Sequence, residues 1–326
     1  MMAVNSRSWL RLLASALALC VLQGCGRTHA RKPPLFEIIV PSQDNPFFKA
    51  EADAAAARAQ QLGYRTRIDS HEDDAYKQDN LIDVAIAGNA AVLLLDNAGA
   101  DATVAAVRRA AKAGIICILM DREINADGIA RAQIIADNDQ GARELAAYFA
   151  KLLGGHGTYA ELLGKESDTN AQIRTHGFHA VLDRLPAIKL VAAQSANWSQ
   201  SEAFEKTEVL LQSNAQLNGI LAGNDTMALG AIAAVKGSGR RNISIVGFDG
   251  SPDALAAIRA GELQATILQP AAKIARMAVD EAQSVLKTGS TGLPEHQIVQ
   301  CDLVTSENVG DFGTFERIRA EKRPAN

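Results

Sequence analysis

Apolar segments of strand length alternate with helical segments along most of the chain, and this alternation restricts the fold more than any other feature. Stretches such as DATVAAVRRAAKAG lie between most of the apolar segments and are amphipathic. Buried strands separated by such helices predict an α/β fold with parallel sheets covered on both faces. The nine apolar segments are LFEIIV (35–40), AVLLLD (91–96), IICILMD (115–121), AQIIADN (132–138), TYAELLG (158–164), IKLVAAQS (188–195), GILAGND (219–225), ISIVGFDG (243–250) and ATILQ (265–269).

The number of strands predicts more than one lobe. Nine or more strands exceed what one open, doubly wound sheet normally holds in a compact domain. The chain has 326 residues, 48% of them hydrophobic, which is enough for two lobes of ordinary size. We therefore predict two doubly wound parallel-sheet lobes with a cleft between them. Ligands of open α/β sheets bind outside the carboxyl ends of the strands.

The N-terminus differs in composition from the rest of the chain. Arg7 and Arg11 precede the short apolar segment LLASALALCVLQGC, which predicts a signal peptide over residues 1–24. LQGC resembles a lipobox, in which Cys25 becomes the lipidated first residue of the mature protein. A plain signal peptide cleaved nearby is the alternative. Residues 25–34 are basic, end in two prolines and read as a tether.

The net charge argues against a nucleic-acid-binding protein, and the spacing of cysteines and histidines argues against a metal site. The formal net charge of −4 does not suit a general nucleic-acid binder, which would carry a basic surplus. Cys117 and Cys301 have no second ligand at metal spacing, and they read as buried free thiols or as a disulfide pair. His176 and His179, three residues apart, and the segment HEDD (71–74) read as surface histidines and a charged loop rather than a metal site. No cofactor is predicted.

Polar and aromatic residues follow the predicted strands at their carboxyl ends. The hydroxyl groups of a sugar need both donors and acceptors: amides supply both, carboxylates accept, and arginines donate in a planar fork. Aromatic rings pack on the C–H faces of a sugar, so this set of residues suits a sugar ligand. Taken singly, each has another explanation; Asp225, for example, reads as a helix N-cap. The set contains no nucleophile–base pair, so an enzyme is not predicted. Its members are Gln43, Asp44, Asn45, Phe47, Phe48, Asp121, Arg122, Arg174, Asn197, Trp198, Asn224, Asp225, Asp249 and Gln269.

Five motifs, in their order and spacing, resemble a known family. NPFF, MDR at a strand end, GNDTMALGA, VGFDG and ATILQP are similar to the periplasmic pentose- and hexose-binding proteins of ABC importers, above all the ribose-binding proteins. The resemblance extends from about residue 35 to residue 309. Regulators of the lac-repressor type share these lobes, but they carry a helix-turn-helix where this chain has a signal peptide.

The resemblance implies the type I periplasmic binding protein fold with a three-segment hinge. One lobe would comprise residues 35–137 plus 270–301, and the other residues 138–269 plus 302–326. It also implies ligand contacts, among which Trp198 replaces an expected phenylalanine and offers a larger face with an N–H donor. The loop GKESDTNAQIR differs from the shorter loop expected there. The implied contacts are Asn45, Phe47, Phe48, Asp121, Arg122, Arg174, Trp198, Asn224, Asp249 and Gln269.

The function implied by the resemblance is that of a substrate-binding protein of a carbohydrate ABC transporter. It would bind a monosaccharide in the cleft, either a ribose-like pentose or a related hexose or polyol. It would then deliver the sugar to the membrane permease and its ATPase, without chemistry of its own. We expect a periplasmic monomer held at the membrane by its N-terminal lipid. The alternative is a periplasmic sensor that presents its ligand to a chemoreceptor or histidine kinase.

Overall fold

The computed structural model describes residues 32–318, whose strands and helices alternate as the sequence predicts. The strands are β1 (Leu35–Val40), β2 (Arg65–Ser70), β3 (Val92–Leu95), β4 (Ile116–Met120), β5 (Ala132–Ala136), β6 (Gly157–Leu163), β7 (Ile188–Ser195), β8 (Gly219–Ala222), β9 (Ser244–Asp249), β10 (Ala265–Leu268), β11 (His296–Val299), β12 (Asp302–Thr305), β13 (Phe312–Gly313) and β14 (Glu316–Arg317). The helices are α1 (Pro46–Gln61), α2 (Ala75–Ala87), α3 (Val104–Lys112), α4 (Asn138–Leu152), α5 (Thr169–Leu182), α6 (Gln200–Ser213), α7 (Asp225–Gly237), α8 (Pro252–Arg259) and α9 (Ala271–Thr288).

The strands form two six-stranded sheets and one small hairpin. The first sheet has the order β11-β5-β4-β3-β1-β2, and the second has the order β12-β10-β9-β8-β6-β7. All pairs within them are parallel except β10 and β12, which are antiparallel. The prediction of two parallel-dominated sheets is therefore confirmed. The nine predicted strands all form, whereas β2, β11 and β12 of the two sheets and the hairpin β13-β14 are not among them.

Side-chain alternation along the central strands builds a core on each face of each sheet. In β1, Phe36 and Ile38 face α1 and α9, whereas Ile39 packs with Ile82 of α2 on the opposite face. In β8, Leu221 belongs to the core beneath α4 and α5, and its neighbours pack beneath α6, α7 and α8. Because every central strand is covered on both faces, its sequence is apolar at nearly every position.

The chain passes from one sheet to the other three times. The passages lie between β5 and α4, between β10 and α9, and between β11 and β12. Two of them are joined side by side, because Gln300 Nε2 donates to Asp137 Oδ2 (2.9 Å) and the Cys301 amide donates to Gln140 Oε1 (3.1 Å). The lobe boundaries at residues 137/138, 269/270 and 301/302 stay a prediction, and this distribution of strands supports them.

The features predicted for the N-terminus lie outside the described residues. The signal peptide, Cys25 and most of the tether belong to residues 1–31, whose structure is not described. Within residues 32–318, no helix combines the length and apolarity that a membrane span requires. Cys117 and Cys301 are both free and buried, so the alternative of a disulfide between them is wrong.

The interpretation of His176 and His179 as surface histidines is correct for His176, and the segment HEDD forms a loop as expected. His176 is exposed, but His179 is half-buried on α5, with Nε2 3.1 Å from Glu161 Oε2 of β6. His71 is fully buried, and burial lowers its pKa to about 4. Its Nδ1 accepts from the Asp73 amide, so the neutral ring carries its proton on Nε2 and donates it to the Asp96 carbonyl oxygen. No metal-binding group of His, Cys, Asp and Glu forms in the described chain.

The contact between His179 and Glu161 makes stability depend on pH. The hydrogen bond to Glu161 raises the pKa of His179 to about 9, from an ordinary value near 6.5. The stabilisation is fully present below about pH 6.5 and is lost as pH rises through about 9. We expect His179→Gln to cost about 1–3 kcal/mol at pH 6 and much less at pH 9.5, measured by urea unfolding.

The matched control for this prediction is His176→Gln, which alters an exposed histidine on the same helix. Its free energy of unfolding should follow that of the parent protein at both pH values. A cost of His179→Gln that is the same at pH 6 and pH 9.5 would contradict the assigned role of the pair.

Candidate functional site

A cavity of about 20 Å³ lies where the carboxyl ends of both sheets meet. The structure places all ten expected site residues around it and adds two more, Asp168 and Asn170. That space is about the size of one water molecule, so a larger ligand enters only when the two sides of the cavity are further apart. Its lining residues are Asn45, Phe47, Phe48, Asp121, Arg122, Asp168, Asn170, Arg174, Trp198, Asn224, Asp249 and Gln269.

Three lining residues are the N-caps of helices that begin at the cavity. Asn45 Oδ1 accepts from the Phe47 amide at the start of α1, where Pro46 occupies the first turn. Asp168 accepts from the Asn170 amide at the start of α5. A helix N-terminus presents unpaired amides and a partial positive charge, so the three helices favour acceptor groups in the cavity.

The third of these caps corrects the interpretation of Asp225. Asn224 caps α7 by accepting from the Met227 amide (2.9 Å), whereas Asp225 is the first residue inside the helix. The Asp225 carboxylate is fully buried and accepts from the Ser251 amide (2.7 Å) and from Thr266 Oγ1 (2.6 Å). Asp225 therefore joins α7 to β10 and to the start of α8, and it does not line the cavity.

The two adjacent phenylalanines have different surroundings. Their rings meet edge to face at 5.5 Å, and Phe47 makes a second edge contact with Phe315 at 5.4 Å. Phe48 lies beneath the guanidinium of Arg122, whose carbon is 5.0 Å from the ring centroid. Both rings line the cavity, but Phe47 is also part of the core against the C-terminal segment.

Arg122 is buried among carboxylates. Its Nη1 donates to Asp73 Oδ1 (2.9 Å) and to the carbonyl oxygen of Asn97 (2.9 Å). Its Nε lies 2.9 Å from Asp168 Oδ2 and 3.4 Å from Asp96 Oδ1. A guanidinium presents five donors in a fixed plane, so these contacts fix the orientation of the whole group.

Arg174 holds the equivalent position on the other side of the cavity. Its guanidinium carbon lies 4.0 Å from the centroid of the Phe248 ring and 5.4 Å from that of Trp198. Its Nη1 donates to the Gly223 carbonyl oxygen (2.8 Å) and to Asp249 Oδ1 (3.2 Å). Each side of the cavity thus presents an aromatic ring, an arginine and an aspartate.

The indole of Trp198 is fixed by close packing and by a hydrogen bond. A β-carbon built on Gly164 would lie 2.0 Å from the ring, so only glycine allows the ring to lie there. Trp198 Nε1 donates to Asp168 Oδ2 (3.1 Å). The expectation that this N–H is open to a ligand is therefore wrong, and the ring face is what Trp198 offers.

Backbone strain is concentrated at the strand ends that line the cavity. Asp121, Trp198 and Asp249 have φ angles of 59°, 63° and 117°, a region that residues other than glycine rarely adopt. Such conformations cost about 1–3 kcal/mol each and persist where surrounding contacts enforce them. These backbone conformations direct the side chains of all three residues towards the cavity.

Two buried acceptor atoms of the lining residues lack a hydrogen bond within residues 32–318. They are Asp121 Oδ1 and Gln269 Oε1. The other end of the Gln269 amide donates to Asp249 Oδ1 (2.8 Å). Burial raises the pKa of Asp121 and of Asp249 above the ordinary carboxyl range. An unpaired buried acceptor costs about 1–3 kcal/mol, so the cavity favours a ligand that brings donors.

Sequence reasoning missed Asp168 and Asn170, although a signal for both was present. They lie in the segment GKESDTN, which follows strand β6 as the other site residues follow their strands. Asn170 Nδ2 donates to Asp121 Oδ2 (3.3 Å) and to the Asp121 carbonyl oxygen (3.2 Å). Because ligands bind outside the carboxyl ends of parallel strands, every residue of that loop was a candidate for the site, including these two.

Comparison with known proteins identifies the family. A family model described as a periplasmic binding protein domain matches residues 36–291. The chain belongs to the periplasmic binding protein family. It is a substrate-binding protein of an import system and not an enzyme, and its place is the periplasm.

Three relatives indicate how close the similarity is. A D-apiose import binding protein from Paraburkholderia graminis is 51% identical over 310 residues, which cover 95% of this chain and 98% of that protein. A ribose import binding protein from Haemophilus influenzae is 33% identical and covers 84% of this chain and 93% of that protein. The crystal structure of an ABC transporter periplasmic solute-binding protein from Actinobacillus succinogenes with bound D-allose has a TM-score of 0.80 at 27% identity, covering 86% of this chain and 100% of that one.

The packing of this binding protein around Trp198 can be tested with Gly164→Ala. The added methyl group overlaps the indole, so either the ring or the loop must move, which costs about 1–3 kcal/mol in a well-packed core. We expect that loss in the free energy of unfolding, together with a shift in tryptophan fluorescence. Gly237→Ala is the control, because no atom lies within 4 Å of the added carbon. Equal stability of both variants would show that the indole is not held against Gly164.

Proposed function

We propose that this periplasmic binding protein binds one monosaccharide in the cavity and delivers it to the permease of an ABC importer, and that the sugar is D-apiose or a closely related pentose. The observation that supports the site is the convergence of one aromatic–arginine–aspartate set from each sheet on a single small cavity. A monosaccharide has hydroxyl groups around its edge and C–H groups on its faces, which this set can recognise together.

The cavity offers the hydroxyl groups of a sugar both hydrogen-bond acceptors and a hydrogen-bond donor. Asp121 Oδ1 and Gln269 Oε1 are acceptors without partners in the described chain, and each could accept from one hydroxyl. The guanidinium of Arg174 lies against aromatic rings and beside Asp249, so it can donate in its plane to ring or hydroxyl oxygens. Phe48 and Trp198 would then contact the faces of the sugar ring.

The choice of sugar rests on the relatives. Identity to the D-apiose import binding protein is 51%, against 33% for the ribose import binding protein, and both comparisons span most of the chain. D-Apiose is a branched pentose, so it offers a similar number of hydroxyl groups to ribose in a different arrangement. The names of these relatives favour import over the alternative role as a sensor.

Binding would act by closing the cleft. Because the polar groups come from both sheets, a ligand bonded to both stabilises the arrangement in which the two sides approach each other. The permease would then recognise the closed form, and the ATPase would supply the energy for transport. We infer that the protein does this as a monomer.

The ligand can be tested by thermal shift with D-apiose, D-ribose, D-allose and myo-inositol. A ligand that binds the native state raises the melting temperature by mass action, and we expect the largest rise with D-apiose. Asp249→Ala should abolish the rise by weakening binding by about 2–5 kcal/mol, because it leaves buried partners unpaired. Asp53→Ala, which alters an exposed residue of α1, is the control. No rise with any sugar would reject the proposed function.

We also propose that Cys25 is lipidated and holds the protein at the membrane. The basis is the lipobox-like segment LQGC after a short apolar stretch, and a lipobox modification adds several acyl chains, enough for firm attachment. We expect Cys25→Ser to move the protein from the membrane fraction to the soluble periplasmic fraction. If the parent protein is itself soluble and incorporates no labelled palmitate, the alternative of a plain cleaved leader is correct.

A further inference from the structure

The segment from Lys165 to Asn170 reaches across the cavity to the side formed by the first sheet. Lys165 Nζ donates to the carbonyl oxygen of Asp73 (2.9 Å). Asp168 Oδ2 lies 2.9 Å from Arg122 Nε, and Asn170 donates to Asp121. These are contacts between protein groups alone, so they can join the two sides before any ligand is bound.

We propose that Asp168, held in place by the indole N–H of Trp198, is a positioning residue that latches the two sides of the cavity together through Arg122. The proposal rests on the proposed function, because a latch matters only in a protein whose sides open and close around a ligand. It assigns Asp168 a role in the closing equilibrium rather than in the choice of sugar.

The surroundings of Asp168 leave it one orientation. Its Oδ1 accepts from the Asn170 amide (2.9 Å) at the start of α5, where the helix dipole favours a negative charge. Its Oδ2 accepts from Trp198 Nε1 (3.1 Å). The side chain is 4% exposed, and that of Arg122 is also 4% exposed, so little water screens the pair.

The guanidinium of Arg122 is held from both sides of the cavity. Asp73 and Asn97 fix Nη1 from the side of the first sheet. Asp168 is the partner from the side of the second sheet, at Nε. When the sides separate, Arg122 keeps the first pair of contacts and loses the contact with Asp168, so the ion pair stabilises the closed form alone.

A latch of this kind changes the affinity for every ligand by the same factor. The apparent affinity of a ligand falls in proportion to the fraction of protein that is competent to bind it. Removing the latch lowers that fraction without altering contacts to the sugar. A residue that contacts the sugar would instead alter affinities unequally and could change the order of preference.

The test is Asp168→Asn, with the oligomeric state, fold and stability checked first. Asparagine caps helices as well as aspartate, so α5 is preserved while the charge is removed. Asp139→Asn is the matched control, because Asp139 forms an exposed ion pair with Arg143 on α4. We expect Asp168→Asn to enlarge the radius of gyration measured by small-angle X-ray scattering without sugar, and the control to leave it unchanged.

Titration calorimetry with the sugars that bind the parent protein gives the second measurement. We expect the same loss for each sugar, about 5- to 150-fold, which is usual for a coupled conformational equilibrium. An unchanged radius with a reordered sugar preference would make Asp168 a ligand contact and overturn the latch. An unchanged radius with unchanged affinities would overturn it as well.

The role of Trp198 is tested by Trp198→Phe, which keeps an aromatic ring and removes the N–H. If Trp198 acts through Asp168, the double variant Trp198→Phe/Asp168→Asn loses no more affinity than Asp168→Asn alone. Additive losses would reject that link. The scattering measurement needs no sugar, so it can succeed or fail even if the thermal-shift screen rejects the proposed ligand class.

Discussion

The ion pairs of the buried Arg122 guanidinium hold together the loops around the cavity. A guanidinium removed from water without partners would cost several kcal/mol, so its carboxylates must be in place for the fold to form around it. Asp73, Asp96 and Asp168 supply them within 3.4 Å, and each follows a different strand. One charged group therefore fixes three loops relative to one another. Phe48 covers a face of the guanidinium, which limits the access of water to the cluster.

On the second side of the cavity, a buried arginine is again paired with a carboxylate and packed against aromatic rings. Arg174 lies between the rings of Phe248 and Trp198 and pairs with Asp249. In a parallel sheet all strands end at one edge, so the polar residues that follow them converge without any long-range sequence signal. Helices that begin at that edge add amides and positive partial charge. Two such edges facing each other make a polar, enclosed site from ordinary α/β geometry.

Much of the fold was predictable because buried strands leave a strong local pattern. β2 was missed because it is an edge strand whose sequence RTRIDS is polar except for Ile68. Its Arg67 pairs with the buried Glu37 of β1, which no local pattern reveals. The segment QIVQCDLV (297–304) is largely apolar like a single strand, but it contributes to two strands in different sheets, β11 and β12, with the passage between the sheets in its middle.

The ten expected site residues follow from strand ends, from an early position on a helix and from a family pattern, and the structure brings all ten around one cavity, whereas their contact with a ligand stays a prediction. The hydrogen-bond partners of several other polar residues could not be predicted from the sequence. His179 was interpreted as a surface histidine and His71 as part of a charged loop, and only packing shows which groups face them. Asp225 looked like a helix cap because its position differs by one residue from that of the true cap, Asn224.

Local periodicity and strand ends were enough to predict most of the order of strands and helices, the edge of each sheet at which polar groups collect, and the chemical type of those groups. Which of these groups pair with one another, and which keep an unpaired atom, depends on the tertiary structure. It joins Trp198 to Asp168, places Asp168 against Arg122, and leaves Asp121 Oδ1 without a partner among the described residues. Those pairings depend on distances between residues far apart in the chain, which periodicity does not encode.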